Sequence, residues 1–200
     1  SQYVRDGIEQ TRIKSTDIIY SDIFPYTRTK FGDRSKQRWS LEGSFLSYFG
    51  AGIMMGVTGK GGNLVIFDDP VKGALEAFNE NHLEKLWQSY TNTWLSRLEK
   101  PRKQILVMTP WIEGDPGDRI IKGAEESGEV VKILNFKAYT EEQGMLCDDI
   151  LDKRSFDILS SRLDPIIMSG NYLCKRQGLQ GKLYTSFNFY TLDDMPNKFE

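Results

Sequence analysis

An α/β fold is predicted, with a mostly parallel sheet flanked by helices. Three observations carry it. Leu64–Phe67 (LVIF) and Gln104–Thr109 (QILVMT) are unbroken apolar runs rather than alternating ones, the pattern of strands covered on both faces in a parallel sheet. Between them, Leu83, Leu86, Trp87, Tyr90, Trp94, Leu95 and Leu98 recur at helical spacing and form a wide apolar stripe. A second helix candidate, Asp118–Glu126, and a third apolar run, Val130–Phe136, follow. The order strand–helix–strand–helix–strand builds βαβ units and hence a parallel sheet.

The elements are justified in chain order. Val4, Ile8, Ile13 and Ile18 among charges predict a helix over Val4–Ile19. Ser21–Trp39, with Pro25 and few apolar residues, reads as loop, and Phe45–Phe49 as a short strand. Gly50–Gly62 is glycine-rich and leads into the LVIF strand. Asn79 suits the N-cap of a helix reaching Leu98. Pro101-Arg102-Lys103 reads as a turn before QILVMT, which Pro110 closes. Beyond Asn135 the texture changes. Glu141–Asp152 is acidic and irregular, Arg154–Leu163 and Ile166–Gln177 read as helices around Pro165, and Gly181–Thr191 is aromatic and extended. Two parts are expected: a core over residues 1–137 and a small C-terminal subdomain over residues 138–200 that caps the sheet.

Composition narrows the function classes. The 200 residues are 39% hydrophobic and 27% charged, enough for a packed core, and the net charge of −2 argues neither for nor against nucleic acid. Basic residues cluster at Arg28, Lys30, Arg34, Lys36 and Arg38, and again at Arg97–Lys103 and at Lys175, Arg176 and Lys182. Each cluster reads either as a DNA-phosphate contact or as a solvated surface. Cys147 and Cys174 lack metal-site spacing and fit a reduced, intracellular setting. With His82 the only histidine, a multi-histidine metal site is ruled out within these residues and a His-based triad is not expected. No apolar run approaches the length of a membrane span.

The chemistry centres on NLVIFDDP, residues 63–70. Asp68 and Asp69 follow an apolar strand and sit at its carboxyl end, the edge where open α/β sheets bind ligands. Two adjacent acids there suit a Walker B role, one holding Mg²⁺ of a nucleotide and one orienting water. The plainer alternative is a strand that ends in solvent. A nucleotide hydrolase also needs a phosphate cradle, GxxxxGK followed by Ser or Thr. GVTGKGG (residues 56–62) fails the pattern, with Met54 where the first glycine belongs and Gly61 after Lys60. Gly181-Lys182 fails as well, with Arg176 and Leu183 at the corresponding places. Thr109, at the tip of the second strand, suits either a γ-phosphate sensor or a simple strand cap.

Taken together, four stretches resemble the large subunit of tailed-phage terminases. They are TGKGGNLVIFDDPVKGALEAFN (residues 58–79), WQSYTNTWLSRL (87–98), QILVMTPWIEGDPGDRII (104–121) and NYLCKRQ (171–177). They keep the family's order: a TGRGA-like loop, an IIDDP-like Walker B, a helix ending in TRL, an MTRWHEDDLAGRL-like strand and a YxxxYQQ-like segment. The resemblance covers roughly residues 1–190. It implies a P-loop NTPase-like fold of the additional-strand type, here incomplete, with a linker or lid subdomain leading toward a nuclease domain. It implies a viral DNA-packaging motor that couples ATP hydrolysis to DNA translocation into the prohead.

Position by position, the resemblance makes Asp68 the Mg²⁺ ligand of Mg-ATP and Asp69 the carboxylate that polarises the attacking water. Many members carry Glu at the latter place, so the shorter Asp69 is a departure. Thr109 becomes the coupling motif that links hydrolysis to DNA movement. Lys60 stands where many members have an Arg that acts on a neighbour's ATP, and an ammonium lacks the planar fork of a guanidinium. The implied cofactors are Mg²⁺ and ATP. The implied partners are double-stranded DNA, the portal and prohead, the terminase small subunit and further copies in a ring, in the cytoplasm of an infected or prophage-carrying bacterium, with no membrane. Neither the Walker A loop nor the nuclease acids occur in these residues, so the chain is read as the middle of such a protein and is expected to be inactive alone. Two other readings remain: a fragment of a helicase or recombination motor of the same additional-strand type, and a non-enzymatic interaction domain built on the same sheet.

Overall fold

The computed structural model describes residues 2–57 and 59–178, the side chains of residues 33 and 34 apart. The fold is mixed α/β. The chain divides into two compact units, each built from two stretches: residues 1–63 with 88–103, and residues 64–87 with 104–200. The extended segment expected over Gly181–Thr191 lies outside the described residues.

The first unit opens with helix α1 (Gln2–Ile8) and a single helical turn, α2 (Tyr20–Ile23). The helix expected to reach Ile19 stops at Ile8, and Ile13 and Ile18 are exposed. Their spacing explains it: steps of four or five residues drift around a helix and draw no continuous stripe. The basic segment expected to be loop instead supplies β1 (Thr29–Arg34) and the start of β2 (Arg38–Leu41); with β3 (Tyr48–Phe49), which falls within the short strand expected over Phe45–Phe49, they form an antiparallel sheet in the order β1-β2-β3. Trp39 faces Tyr48 across the β2–β3 pair, with the rings stacked 5.6 Å apart, and Trp39 is buried. Arg38 points to water. Ser40, the next residue and so on the opposite face, is buried as well, and the charges around this strand concealed it in the sequence.

Strands β4 (Gly62–Asp68) and β5 (Leu98–Val107) pair with each other. Asn63 Nδ2 donates to Lys100 O at 2.6 Å and Asp69 N–H to Val107 O at 2.8 Å, so both strands advance together and the pair is parallel. The expectation of burial on both faces is corrected. Leu64, Ile66, Ile105 and Val107 are about half exposed, while Phe67 and Leu98 are buried. The two strands that this sheet has among the described residues are too narrow a layer to be enclosed as the central strands of a wide sheet are. Val130–Phe136, expected as a third strand, forms none. It is irregular, with Val130 99% exposed and Phe136 67%. Pro101-Arg102-Lys103 lies inside β5 rather than in a turn. Proline is tolerated in a strand where its missing N–H faces no partner.

Helix α3 (Ala74–Ala77) precedes α4 (Glu80–Ser89). Asn79 caps α4 as predicted, its Oδ1 accepting from His82 N–H at 3.0 Å, and Leu83 and Leu86 are buried. The predicted helix continues to Arg97 in altered form: a π-helical turn at Tyr90–Trp94, then a 3₁₀ turn at Leu95–Arg97. Ser89 Oγ and Trp94 Nε1 both donate to Ile53 O, at 2.6 and 2.9 Å. These donors grip one carbonyl of the glycine-rich segment.

In the second unit, α5 (Pro116–Ser127) begins at the cap Asp115 and ends at Gly128, whose φ of 74° supplies the left-handed C-terminal turn. A hairpin of β6 (Tyr139–Thr140) and β7 (Gly144–Met145) follows. Helix α6 (Lys153–Arg162) is capped by Asp152, and α7 (Pro165–Ile167), capped by Asp164, runs into a π-helical turn at Met168–Tyr172. Phe156 is buried between the rings of Tyr139 and Tyr172, at 5.5 and 6.5 Å. Among the described residues no helix is long and apolar enough to cross a membrane.

Replacing Asn79 with Ala removes the acceptor for the His82 N–H. Urea denaturation is expected to show a loss of about 1 kcal/mol. An unchanged midpoint would mean that the cap contributes nothing.

Candidate functional site

Asp68 ends β4 and Asp69 is the first residue past it. Both are exposed. Asp69 has a φ of 45°, a left-handed conformation uncommon outside glycine, though aspartate tolerates it better than most residues. The turn is pinned by the Asp69 N–H bond to Val107 O, the last residue of β5. Thr109 follows two residues later and is half-buried. The ends of two parallel neighbours therefore bring Asp68, Asp69 and Thr109 to one edge of the sheet.

Behind that edge is a feature the sequence reading passed over. The side chain of Asp115 is fully buried. Its carboxylate accepts from Trp111 N–H at 3.1 Å, from Asp118 N–H at 2.8 Å and from Arg176 Nε, 3.1 and 3.2 Å from its two oxygens. Trp111 is also buried, with its indole N–H on Val71 O at 3.3 Å. The backbone bonds continue: Gln177 N–H donates to Trp111 O and Glu113 N–H to Gln177 O, each at 3.0 Å. Two of the sequence stretches singled out above, one ending in KRQ and one containing TPWIEGDPGD, thus lock together. A methyl added at Gly117 would fall 2.7 Å from Arg176 Nη2, and one added at Gly170 would fall 3.2 Å from Thr109 Cγ2. A side chain at Gly117 would displace the end of the Arg176 guanidinium, and one at Gly170 would require its neighbours to give by a few tenths of an ångström.

The signal for Asp115 was legible as an Asp-Pro pair opening an amphipathic helix, the signature of an N-cap with Pro at the first helical position. Arg176 carried no local signal. It was a candidate for DNA phosphate, and the structure engages its Nε with Asp115 instead. Asp118, one turn into α5, accepts from Gly114 N–H at 2.7 Å and from Lys122 Nζ at 2.8 Å. Burial pushes its carboxyl up. The Lys122 bond, the Gly114 N–H and the charges of Lys122 and Arg176 outweigh this and hold it below the usual carboxylate value.

Lys60 belongs to the first unit. Its ammonium lies 3.5 Å from the centroid of the Phe49 ring. The basic cluster at Arg28–Arg38 lies on and beside β1 and β2, the Arg97–Lys103 cluster runs from the 3₁₀ turn into β5, and Lys182 lies outside the described residues. Among the described residues no three His, Cys, Asp or Glu side chains converge as a metal site. No family model, curated protein or solved structure matches the chain.

Arg176→Ala leaves the Asp115 carboxylate buried without its counter-ion. The expected loss is about 3 kcal/mol, the low end for a broken buried pair because two backbone N–H groups still serve the carboxylate. Chemical denaturation measures it, and a loss within experimental error would show that the pair is not a support. Asp118 gives a pH signature. Its folded pKa is depressed, so its contribution is present above the unfolded value, about pH 4, and fades as pH falls through the folded one. Asp118→Asn is therefore expected to flatten the acid limb of stability below about pH 4 relative to the parent. Parallel acid limbs in urea melts would contradict this.

Proposed function

We propose that the chain is the central part of the ATPase of a tailed-phage terminase large subunit, a motor that couples ATP hydrolysis to DNA translocation into a prohead. The observation that carries the proposal is the shared edge: Asp68–Asp69 and Thr109 leave neighbouring parallel strands at the same end. A Walker B pair and a coupling residue must be neighbours if hydrolysis is to be felt beyond the nucleotide. The order of the four resembling stretches supports the same reading. So does the small parallel sheet, which we read as a portion of a P-loop NTPase-like fold of the additional-strand type.

The donors fit Mg²⁺. It takes one or two carboxylates and fills its remaining positions with phosphate oxygens and water, so two exposed acids at a strand end suffice. Mg-ATP supplies the scissile phosphoryl group and the ion that neutralises its oxygens. In this reading Asp68 holds the ion. Asp69 accepts a hydrogen bond from the attacking water and orients it. Its left-handed backbone carries the side chain away from the direction β4 would otherwise give it. Thr109 passes a change at this edge to the residues packed behind it. Lys60 serves a neighbouring protomer's phosphates in a ring. Double-stranded DNA, the portal and the small subunit are the partners.

Phosphoryl transfer is nearly all positioning and electrostatics, so without a phosphate loop these carboxylates have little to act on. The chain alone is expected to show no ATP turnover above background at saturating Mg-ATP. The coding DNA on either side is expected to specify GxxxxGK with Ser or Thr upstream and an acid-rich nuclease downstream. In that longer product Asp69→Asn should lower ATP hydrolysis by about a hundredfold or more, and Thr109→Ala should spare hydrolysis while stopping packaging. Flanks lacking both elements, or robust turnover by the 200 residues alone, would overturn the proposal.

A further inference from the structure

The β1–β2 ladder is irregular. Thr29 pairs with Leu41 and Arg34 with Trp39, so five steps along β1 face two along β2. The surplus residues have no place in the ladder and bow out of it as a bulge. Gly32 has a left-handed φ of 83°, which glycine adopts more readily than any other residue. The residues carried outward with it are Lys30 and Phe31. Regular alternation would put Phe31 on the side of Thr29, which is buried and donates its hydroxyl to the Glu9 carboxylate. Phe31 is instead 88% exposed, and Lys30 beside it is exposed.

The bulge sits among cations. Arg28 precedes it, and Lys36 and Arg38 follow it at the turn into β2, all three exposed. Ser35 Oγ accepts from Arg38 N–H at 2.8 Å and donates to Arg38 O at 2.9 Å, which fixes that turn. Tyr26, ahead of β1, is 96% exposed. Between Tyr26 and Trp39 the sequence holds five basic residues against the single acid Asp33. Glu42, whose N–H donates to Arg28 O at 2.9 Å, adds one more acid at the Arg28 end. A strand that served only to complete the sheet has no use for an insertion that carries a ring and a cation into water.

We propose that this ribbon binds single-stranded nucleic acid, with Arg28 and Lys30 on phosphates and Tyr26 and Phe31 stacked on bases. The cations select a polyanion, and the rings select among polyanions. A duplex keeps its base faces stacked inside, whereas an unpaired strand offers them to exposed aromatic rings. An anionic lipid surface would draw on the same charges but calls for a contiguous apolar face, and here Thr27, Arg28, Thr29 and Lys30 separate the two rings. The surface lies within the first unit and uses neither Asp68, Asp69 nor Lys60. It takes an unpaired strand where the packaging reading takes a duplex, so it goes beyond that reading and is tested separately from it.

The test is fluorescence anisotropy of a labelled oligo(dT) titrated with the full chain at several salt concentrations. Binding is expected, and it should weaken as salt rises. Lys30→Gln should weaken it severalfold and make the log–log salt dependence shallower by about 0.7, the value for one phosphate contact on a single strand. Phe31→Ala should weaken it by about tenfold with the salt dependence unchanged, because a stack is lost and no counter-ion is involved. Tyr26→Ala should act in the same way. Both rings are exposed, so both variants should melt with the parent, which a ring of purely structural importance would not do. Lys132→Gln, an exposed charge loss in the other unit, should leave binding unchanged. A duplex of the same length and phosphatidylserine vesicles should each bind more weakly than oligo(dT) at the same salt. Equal or tighter binding of either one, no binding of oligo(dT), or binding indifferent to Phe31→Ala overturns the proposal.

Discussion

The second unit depends on one buried carboxylate. Asp115 has no exposed surface, and it gathers the N–H of Trp111, the N–H of Asp118 and the guanidinium of Arg176. An isolated carboxylate taken from water would cost more than a small domain can lose. Every one of those donors is therefore obligatory, and each ties a different piece of chain to the same point. Trp111 N–H closes the turn after β5, Asp118 N–H starts α5, and Arg176 draws in the segment after the π-helical turn. Polar convergence of this kind specifies one arrangement more sharply than apolar burial does, because few alternatives satisfy all the donors at once.

The candidate site is built on the opposite principle. Asp68 and Asp69 are exposed, and their neighbours on β4 and β5 are half-exposed. What they have is backbone definition: a left-handed residue just after a strand, held by a single bond to the adjacent strand. Strained conformations persist where the surroundings over-determine them. Here the surroundings are the end of β5 and the Asp115 network that follows it in the chain. The exposed acids inherit their position from a buried acid of the same unit.

Parts of this were legible and parts were not, for physical reasons. The strand before Asp68 and the cap at Asn79 are local signals, written in consecutive residues, and both are present. Helix α5 was seen, but its start at Pro116 was placed two residues late, at Asp118, because the Asp115 cap was not recognised. Val130–Phe136 has the composition of a strand, yet a strand is a relation between two segments and composition names only one. The β1–β2 pair was lost for the converse reason: charges interrupted by a lone aromatic such as Trp39 look like loop until the strands on either side are known, Arg34 of β1 and Tyr48 of β3 both lying opposite Trp39. Arg176 lies 61 positions from Asp115, and nothing local in the sequence distinguishes it from a surface cation.

The contact behind Thr109 decides how a change at the sheet edge would travel. A methyl on Gly170 would come within 3.2 Å of both Thr109 Cγ2 and Pro110 O, and within 3.3 Å of the Trp111 ring. There is no slack between the end of β5 and the π-helical turn at Met168–Tyr172. Displacement of Thr109 toward that turn must move backbone rather than a side chain, since glycine has none to yield. The turn is in turn held through Ser169, whose Oγ donates to Lys175 O at 3.0 Å while Lys175 N–H donates to Ser169 O at 2.9 Å. Lys175 immediately precedes Arg176, the counter-ion of Asp115. A push at Thr109 therefore meets two routes to the same carboxylate, one along the chain through Trp111 and one across the turn through Arg176. Closed loops of this kind move as a body or not at all. Coupling through them requires a second arrangement of the whole loop, rather than a chain of small side-chain adjustments.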